Sequence, residues 1–112
     1  MKILMLILKH VEYTNTIIHE LAEAGVRGGT TLEGTGMANA LLDMEDLPMF
    51  GMLRHLLESG EKEKSKVMMF VLEDAEVTRA RAIIKKVIGD LNKPNTGIMF
   101  SIPVEDVEGF GE

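Results

Sequence analysis

The chain has 112 residues, 46% of them hydrophobic and 27% charged, with a formal net charge of −6. That length suits one domain with a core of its own, and the acidic balance excludes nucleic acid as an expected partner, because phosphate binding needs a basic face. Cysteine is absent, which rules out disulfides and thiolate metal sites and fits a reducing cytoplasm.

Residues 2–8 read as the first strand. Ile3, Met5 and Ile7 point one way and Leu4, Leu6 and Leu8 the other, so both faces want burial. The apolar run is too short for a signal-peptide core or a membrane span, so no membrane insertion is expected. A helix is predicted over residues 14–24. Ile17, Leu21 and Ala24 form its apolar stripe, with Ile18 and Ala22 beside it. Thr14, Asn15 or Thr16 could cap it, and Gly25 suits the left-handed position after its end. Gly28 and Gly29 lead into a second strand over residues 30–34, which is only half apolar.

Residues 36–65 form a long insertion. Met37, Leu41 and Met44 are spaced for one helical face. After Pro48, a second stripe is formed by Met49, Met52, Leu53, Leu56 and Leu57, with Phe50 beside it. Nine methionines against four phenylalanines, one tyrosine and no tryptophan is unusual; methionine makes adaptable contact surfaces. A long loop with amphipathic turns on a small scaffold is where binding function resides, so a protein partner is expected on this segment.

The third strand, residues 66–72, opens on Lys66 and runs through six apolar residues, Val67 to Leu72, before stopping at Glu73 and Asp74. Asp74 is placed to cap the helix that follows, residues 75–88. That helix carries Val77, Ala80, Ile84, Val87 and Ile88 on one face. Arg79, Arg81, Lys85 and Lys86 lie largely off it, as a solvated surface. Gly89 ends the helix, residues 90–97 are turn-rich, and residues 98–104 form a last strand with Pro103 at a sheet edge. The acidic tail, residues 105–112, is expected on the surface.

The chain repeats itself at an offset of 64 positions: Leu8 matches Leu72, Glu12 matches Glu76, Thr14 matches Thr78 and Gly25 matches Gly89. Two tandem β-α-β units give an α+β, ferredoxin-like βαββαβ fold: a four-stranded antiparallel sheet with two helices on one face. Helices cover one face only. Leaving the other face of the central strands in water would cost on the order of 1.5–3 kcal/mol per large side chain. A homo-oligomer with its sheets packed inward is therefore expected.

The layout resembles the PII nitrogen-regulatory signal proteins over about residues 2–104. The opening Lys2-Ile3 through Ile7-Leu8-Lys9 is similar to that family's first strand and its closing lysine, with His10 where a proline is usual. Residues 21–28 resemble the end of its first helix. Gly34-Thr35-Gly36 sits where a Gly-x-Gly opens the family's long loop, and residues 89–97, with Lys93, occupy the place of its short phosphate-contacting loop. The resemblance implies a homotrimer that senses a small effector, an adenine nucleotide such as ATP, ADP or AMP, and controls a target enzyme or transporter through the long loop. The implied nucleotide contacts are Gly34, Thr35, Gly36, Met37, Gly89, Lys93 and Gly97; the implied target contacts are Met49, Phe50, Met52, Leu53, Leu56 and Leu57.

The chain departs from the family pattern in three places. Met37-Ala38-Asn39 stands where basic and glutamine residues are usual. Pro103, Glu105 and Asp106 replace arginines after the last strand, and the sole tyrosine is Tyr13, outside the loop. The alternative from another class is a structural or metal-binding trimer without a nucleotide response, using His10, His19 and His55; their spacing matches no ligand motif, and solvated surface histidines are the plainer account. An enzyme is not expected, because no nucleophile, base and carboxylate form a recognisable set.

Overall fold

A computed structural model describes residues 1–37, 64–94 and 96–110. Its elements are β1 (Lys2–Leu8), a 3-10 turn (Val11–Tyr13), α1 (Thr14–Glu23), β2 (Gly29–Gly34), β3 (Ser65–Leu72), α2 (Asp74–Ile88) and β4 (Gly97–Pro103). The four strands form one antiparallel sheet in the order β2-β3-β1-β4, so β1 and β3 are central and β2 and β4 are edges. This is the α+β, ferredoxin-like arrangement expected from the two β-α-β units. The methionine and leucine stripe of the insertion, Met49 to Leu57, lies outside the described residues.

Alternation along the central strands decides which face is which. Leu4, Leu6 and Leu8 of β1 and Met68, Phe70 and Leu72 of β3 are buried beneath the helices. They meet Ile17 and Leu21 of α1 and Val77, Ala80 and Ile84 of α2. Each of these large aliphatic side chains contributes about 1.5–3 kcal/mol by leaving water. Of the four predicted repeat identities, two pairs hold equivalent places in the structure. Leu8 and Leu72 are both buried at strand ends, and Gly25 and Gly89 both hold positive φ, 87° and 80°. Thr14 opens α1, whereas Thr78 lies inside α2, because in the first unit the corresponding turn is the 3-10 turn Val11–Tyr13.

The helix starts correct the expected caps. α1 begins at Thr14, so its N-cap position is Tyr13, with no side-chain cap. The Thr14 hydroxyl instead donates to the Val11 carbonyl at 2.7 Å, which ties the 3-10 turn to the helix. Asp74 is likewise the first residue of α2 and not its cap; Glu73 holds the cap position in extended geometry, without a side-chain bond. Asp74 still suits the positive end of the helix dipole, and it pairs with the chain's N-terminal ammonium at 3.2 Å. The end of α1 follows expectation: the Gly25 N–H donates to the Ala22 carbonyl and the Val26 N–H to the Leu21 carbonyl, with Val26 and Leu21 both buried. That paired bonding satisfies two carbonyls that the helix leaves open.

Candidate functional site

Two surfaces stand out on this scaffold. The first is the sheet face opposite the helices. Residues paired across antiparallel strands share a face, and the register sets three ranks there. One rank is Ile102, Ile3 and Val71; the next is Phe100, Met5, Met69 and Thr30; the last is Ile98, Ile7, Val67 and Leu32. Every member of these ranks but Thr30 is apolar. None is fully buried, and Ile98, Leu32 and Ile102 are 60%, 49% and 46% exposed. A contiguous apolar patch of this kind marks an interaction surface. The sequence reading left open which alternating set of β1 would face outward; Ile3, Met5 and Ile7 do. β4 places Ile98, Phe100 and Ile102 together on this face, while its polar Ser101 points to the helix side opposite Leu4.

The second surface is a cleft of about 610 Å³ where α2 ends beside the start of β4. Arg81 and Lys85 project from one side of α2, one turn apart, and Gly89 follows at the same spacing. Residues 90–92 form the cleft's rim and residues 97–99 its far wall. The rim is a tight turn: the Asp90 carboxylate accepts the Asn92 N–H at 2.9 Å and the Asp90 carbonyl accepts the Lys93 N–H at 3.2 Å. Two cations face one carboxylate here, at the negative end of the α2 dipole, so the net field is only mildly positive. Lys85 and Lys86 in the last helical turn also complement that dipole, an ordinary structural role.

The expected nucleotide residues therefore divide. Gly89 and Gly97 line the cleft together, while Lys93, exposed in the adjoining turn, does not line it. Gly34 closes β2 on the opposite edge of the sheet, three strand spacings or roughly 14 Å from β4. Thr35, Gly36 and Met37 continue outward from it, and Met37 is 80% exposed. Gly34 pairs with Ser65, and Gly97 pairs with Leu8, whose other neighbour is Lys66, so both glycines sit at the same end of the sheet. One subunit does not join them. Both also have packing reasons: a Cβ on Gly97 would strike the Ile7 carbonyl, and one on Gly34 would crowd the Ser65 hydroxyl.

Sequence reasoning missed Arg81 and Lys85 as cleft residues because it placed them on a solvated helix face. Their spacing of four, continued by Gly89, was the available signal. His55 lies outside the described residues; His10 pairs with Glu12 at 3.6 Å and His19 with Glu23 at 3.7 Å, each beside its own neighbour in sequence. Among the described residues no group of three or more His, Cys, Asp or Glu side chains is placed to hold a metal, and no helix is long and apolar enough to cross a membrane.

No family model matches the chain, and no curated protein matches it. Among solved structures it is similar to a functionally unknown protein from Pediococcus pentosaceus ATCC 25745, with a TM-score of 0.63 and 18% sequence identity over 97% of this chain and 96% of that one. At that identity the likeness speaks for the fold alone.

Proposed function

We propose that the chain is one subunit of a homotrimeric, PII-like regulatory protein of the cytoplasm, which binds a small effector at a subunit boundary and acts on a target protein through its long insertion. The observation that carries the assembly is the apolar sheet face, whose three ranks of side chains have no second layer over them among the described residues. Further copies of the same face are the simplest cover, three sheets packed inward closing on one another in a ring. The position of the two glycine segments supports an effector site between subunits. Residues 34–37 and 89–97 lie at one end of the sheet but on opposite edges, where a neighbouring copy can supply the missing half.

The effector class in this reading is an adenine nucleotide. Arg81, Lys85 and Lys93 would oppose the phosphates, and the absence of side chains at Gly36 and Gly89, both open to space, leaves the backbone approachable. The regulatory role rests on the resemblance in layout, with the insertion as the element whose conformation changes.

The test has two stages. Light scattering should give three times the subunit mass of 12.4 kDa; a mass near 12.4 kDa at micromolar concentration overturns the assembly. Calorimetry with ATP, ADP and AMP on the same sample should then show binding that Lys93→Ala weakens without unfolding the chain. No heat with any nucleotide removes the effector class and leaves the assembly standing.

A further inference from the structure

On the helix side of the sheet, α1 does not reach the edge strand. A groove of about 390 Å³ remains between α1 and β2, large enough for a few side chains. Its walls are apolar: Ile18, Leu21 and Ala22 from α1, then Val26, and Met68 and Phe70 from β3. Ile18 is 43% exposed although it belongs to the apolar side of the helix. The floor is made by Gly29 and Thr31, whose small size keeps the groove open. Gly29 has a specific reason to be glycine, because any Cβ there would collide with the Phe70 ring leaning across it.

Alongside the groove runs a free strand edge. β2 pairs with β3 on one side, and among the described residues nothing pairs with its other side. Proteins usually guard such edges with proline, lysine or a bulge. β4, the opposite edge, ends on Pro103. β2 reads Gly-Thr-Thr-Leu-Glu-Gly, with neither proline nor lysine, and the charge of Glu33 is paired with Lys64 at 3.6 Å.

We propose that the outer edge of β2 and the groove beside it form one docking site for an extended segment of another protein, a strand with apolar side chains at alternate positions and a carboxylate that meets Arg27. A strand added to β2 gains main-chain hydrogen bonds along the edge, and every second side chain falls on the face of Gly29 and Thr31, which is the groove. Arg27 is the one charged side chain lining the groove, is exposed, and pairs with no carboxylate among the described residues. An acidic group on the incoming strand answers it. A second copy of this chain that continued the sheet with its helices on the same side fits poorly: its β2 would bring Gly29, Thr31 and Glu33 into the groove, and its β4 would bring Gly97, Met99 and Ser101, with a single large apolar side chain between them. The groove lies on the helix side at the Gly29 end of β2, away from the open sheet face and from the Gly34 end used by the effector site proposed above.

The experiment pans a random dodecapeptide phage library against the purified full chain and measures the recovered peptides by fluorescence polarisation. The expected consensus alternates large apolar residues with polar ones and carries one Asp or Glu. Arg27→Glu should weaken the acidic peptide roughly two- to fivefold and favour its Lys counterpart by a similar factor. Ala22→Trp, which fills the groove from an exposed helix position, should weaken both by about tenfold or more, the worth of one buried aliphatic side chain. A consensus without alternation, no consensus, or binding indifferent to both variants overturns the proposal. A change in subunit number on Ala22→Trp makes a second copy the occupant, and slow exchange of the outward-facing β2 amides in the free chain makes it another segment of this chain; either result also overturns it.

Discussion

Leu6 and Ile7 are consecutive on β1, equal in size and chemistry, and point into different surroundings. Leu6 is fully buried beneath α1 and α2, whereas Ile7 lies partly exposed in a rank with Ile98, Val67 and Leu32. The two faces of the sheet differ in the same way along the central strands. Beneath α1 and α2 the face is finished: the apolar side chains there have their partners within the chain, and only the margin beside β2 stays open. The other face has the composition of a core and, among the described residues, no second layer over it. An ordinary half-exposed antiparallel sheet alternates apolar with polar residues; the central strands here do not, and the proposed subunit interface rests on that difference.

The largest effect expected from breaking this comparison is on the finished face. Leu6→Ala should lower subunit stability by about 2–5 kcal/mol, since the cavity beneath the helices has no way to collapse. The denaturant midpoint at fixed protein concentration reads it, and a loss under about 1 kcal/mol would mean that the core is looser than its burial implies. Met5→Asp, one residue away on the open face, should act differently. The carboxylate remains hydrated in an isolated subunit and is intolerable only where a second face covers it. The scattering mass should fall to that of one subunit while the helical circular dichroism stays. If Met5→Asp unfolds the chain instead, the two faces are not distinct in the way described.

Gly97 tests the seam between β1 and β4, on which both faces depend. Its φ of 145° and the Ile7 carbonyl against its missing Cβ leave no room for a side chain. Gly97→Ala should cost about 1–3 kcal/mol through local strain. Gly36→Ala, in open space and without positive φ, should stay within roughly 0.5 kcal/mol. Chemical denaturation of the pair separates a glycine held by packing from one left free for a ligand; equal, small losses would free Gly97 from its packing role.

The strands were legible because their signal is local. Alternation and a continuous apolar run place β1 and β3 from six or seven residues, and the repeat of Leu8 at Leu72 places the two units in one fold. Helix starts were less legible by one residue: Thr14 and Asp74 carry the side chains that favour caps, but each adopts helical geometry itself, Thr14 because its hydroxyl closes the preceding 3-10 turn. The composition of the open face on β4 was missed because Met99 and Ser101, between the isoleucines, make the strand read as mixed until the register shows which of them turn inward. The cleft was half legible. Gly89 and Gly97 announce turns in any sequence, while the part played by Arg81 and Lys85 depends on where α2 ends relative to β4, a relation between elements far apart along the chain.

The smallest expected effect sharpens where the interface stops. Ile98 and Ile102 are among the most exposed members of the open face, on its β4 margin. Ile98→Thr with Ile102→Thr keeps β-branched side chains that suit a strand, so subunit stability should move by no more than about 0.5 kcal/mol. If a neighbouring subunit covers the margin, each substitution removes apolar area that would otherwise be buried, worth about 1 kcal/mol apiece. The assembly should then dissociate at concentrations roughly tenfold higher or more than the unaltered protein, as read by scattering across a dilution series. A dissociation curve unchanged by the double substitution would confine the interface to β1 and β3, leaving β4 as an uncovered rim and the Gly97 end of the cleft open to solvent.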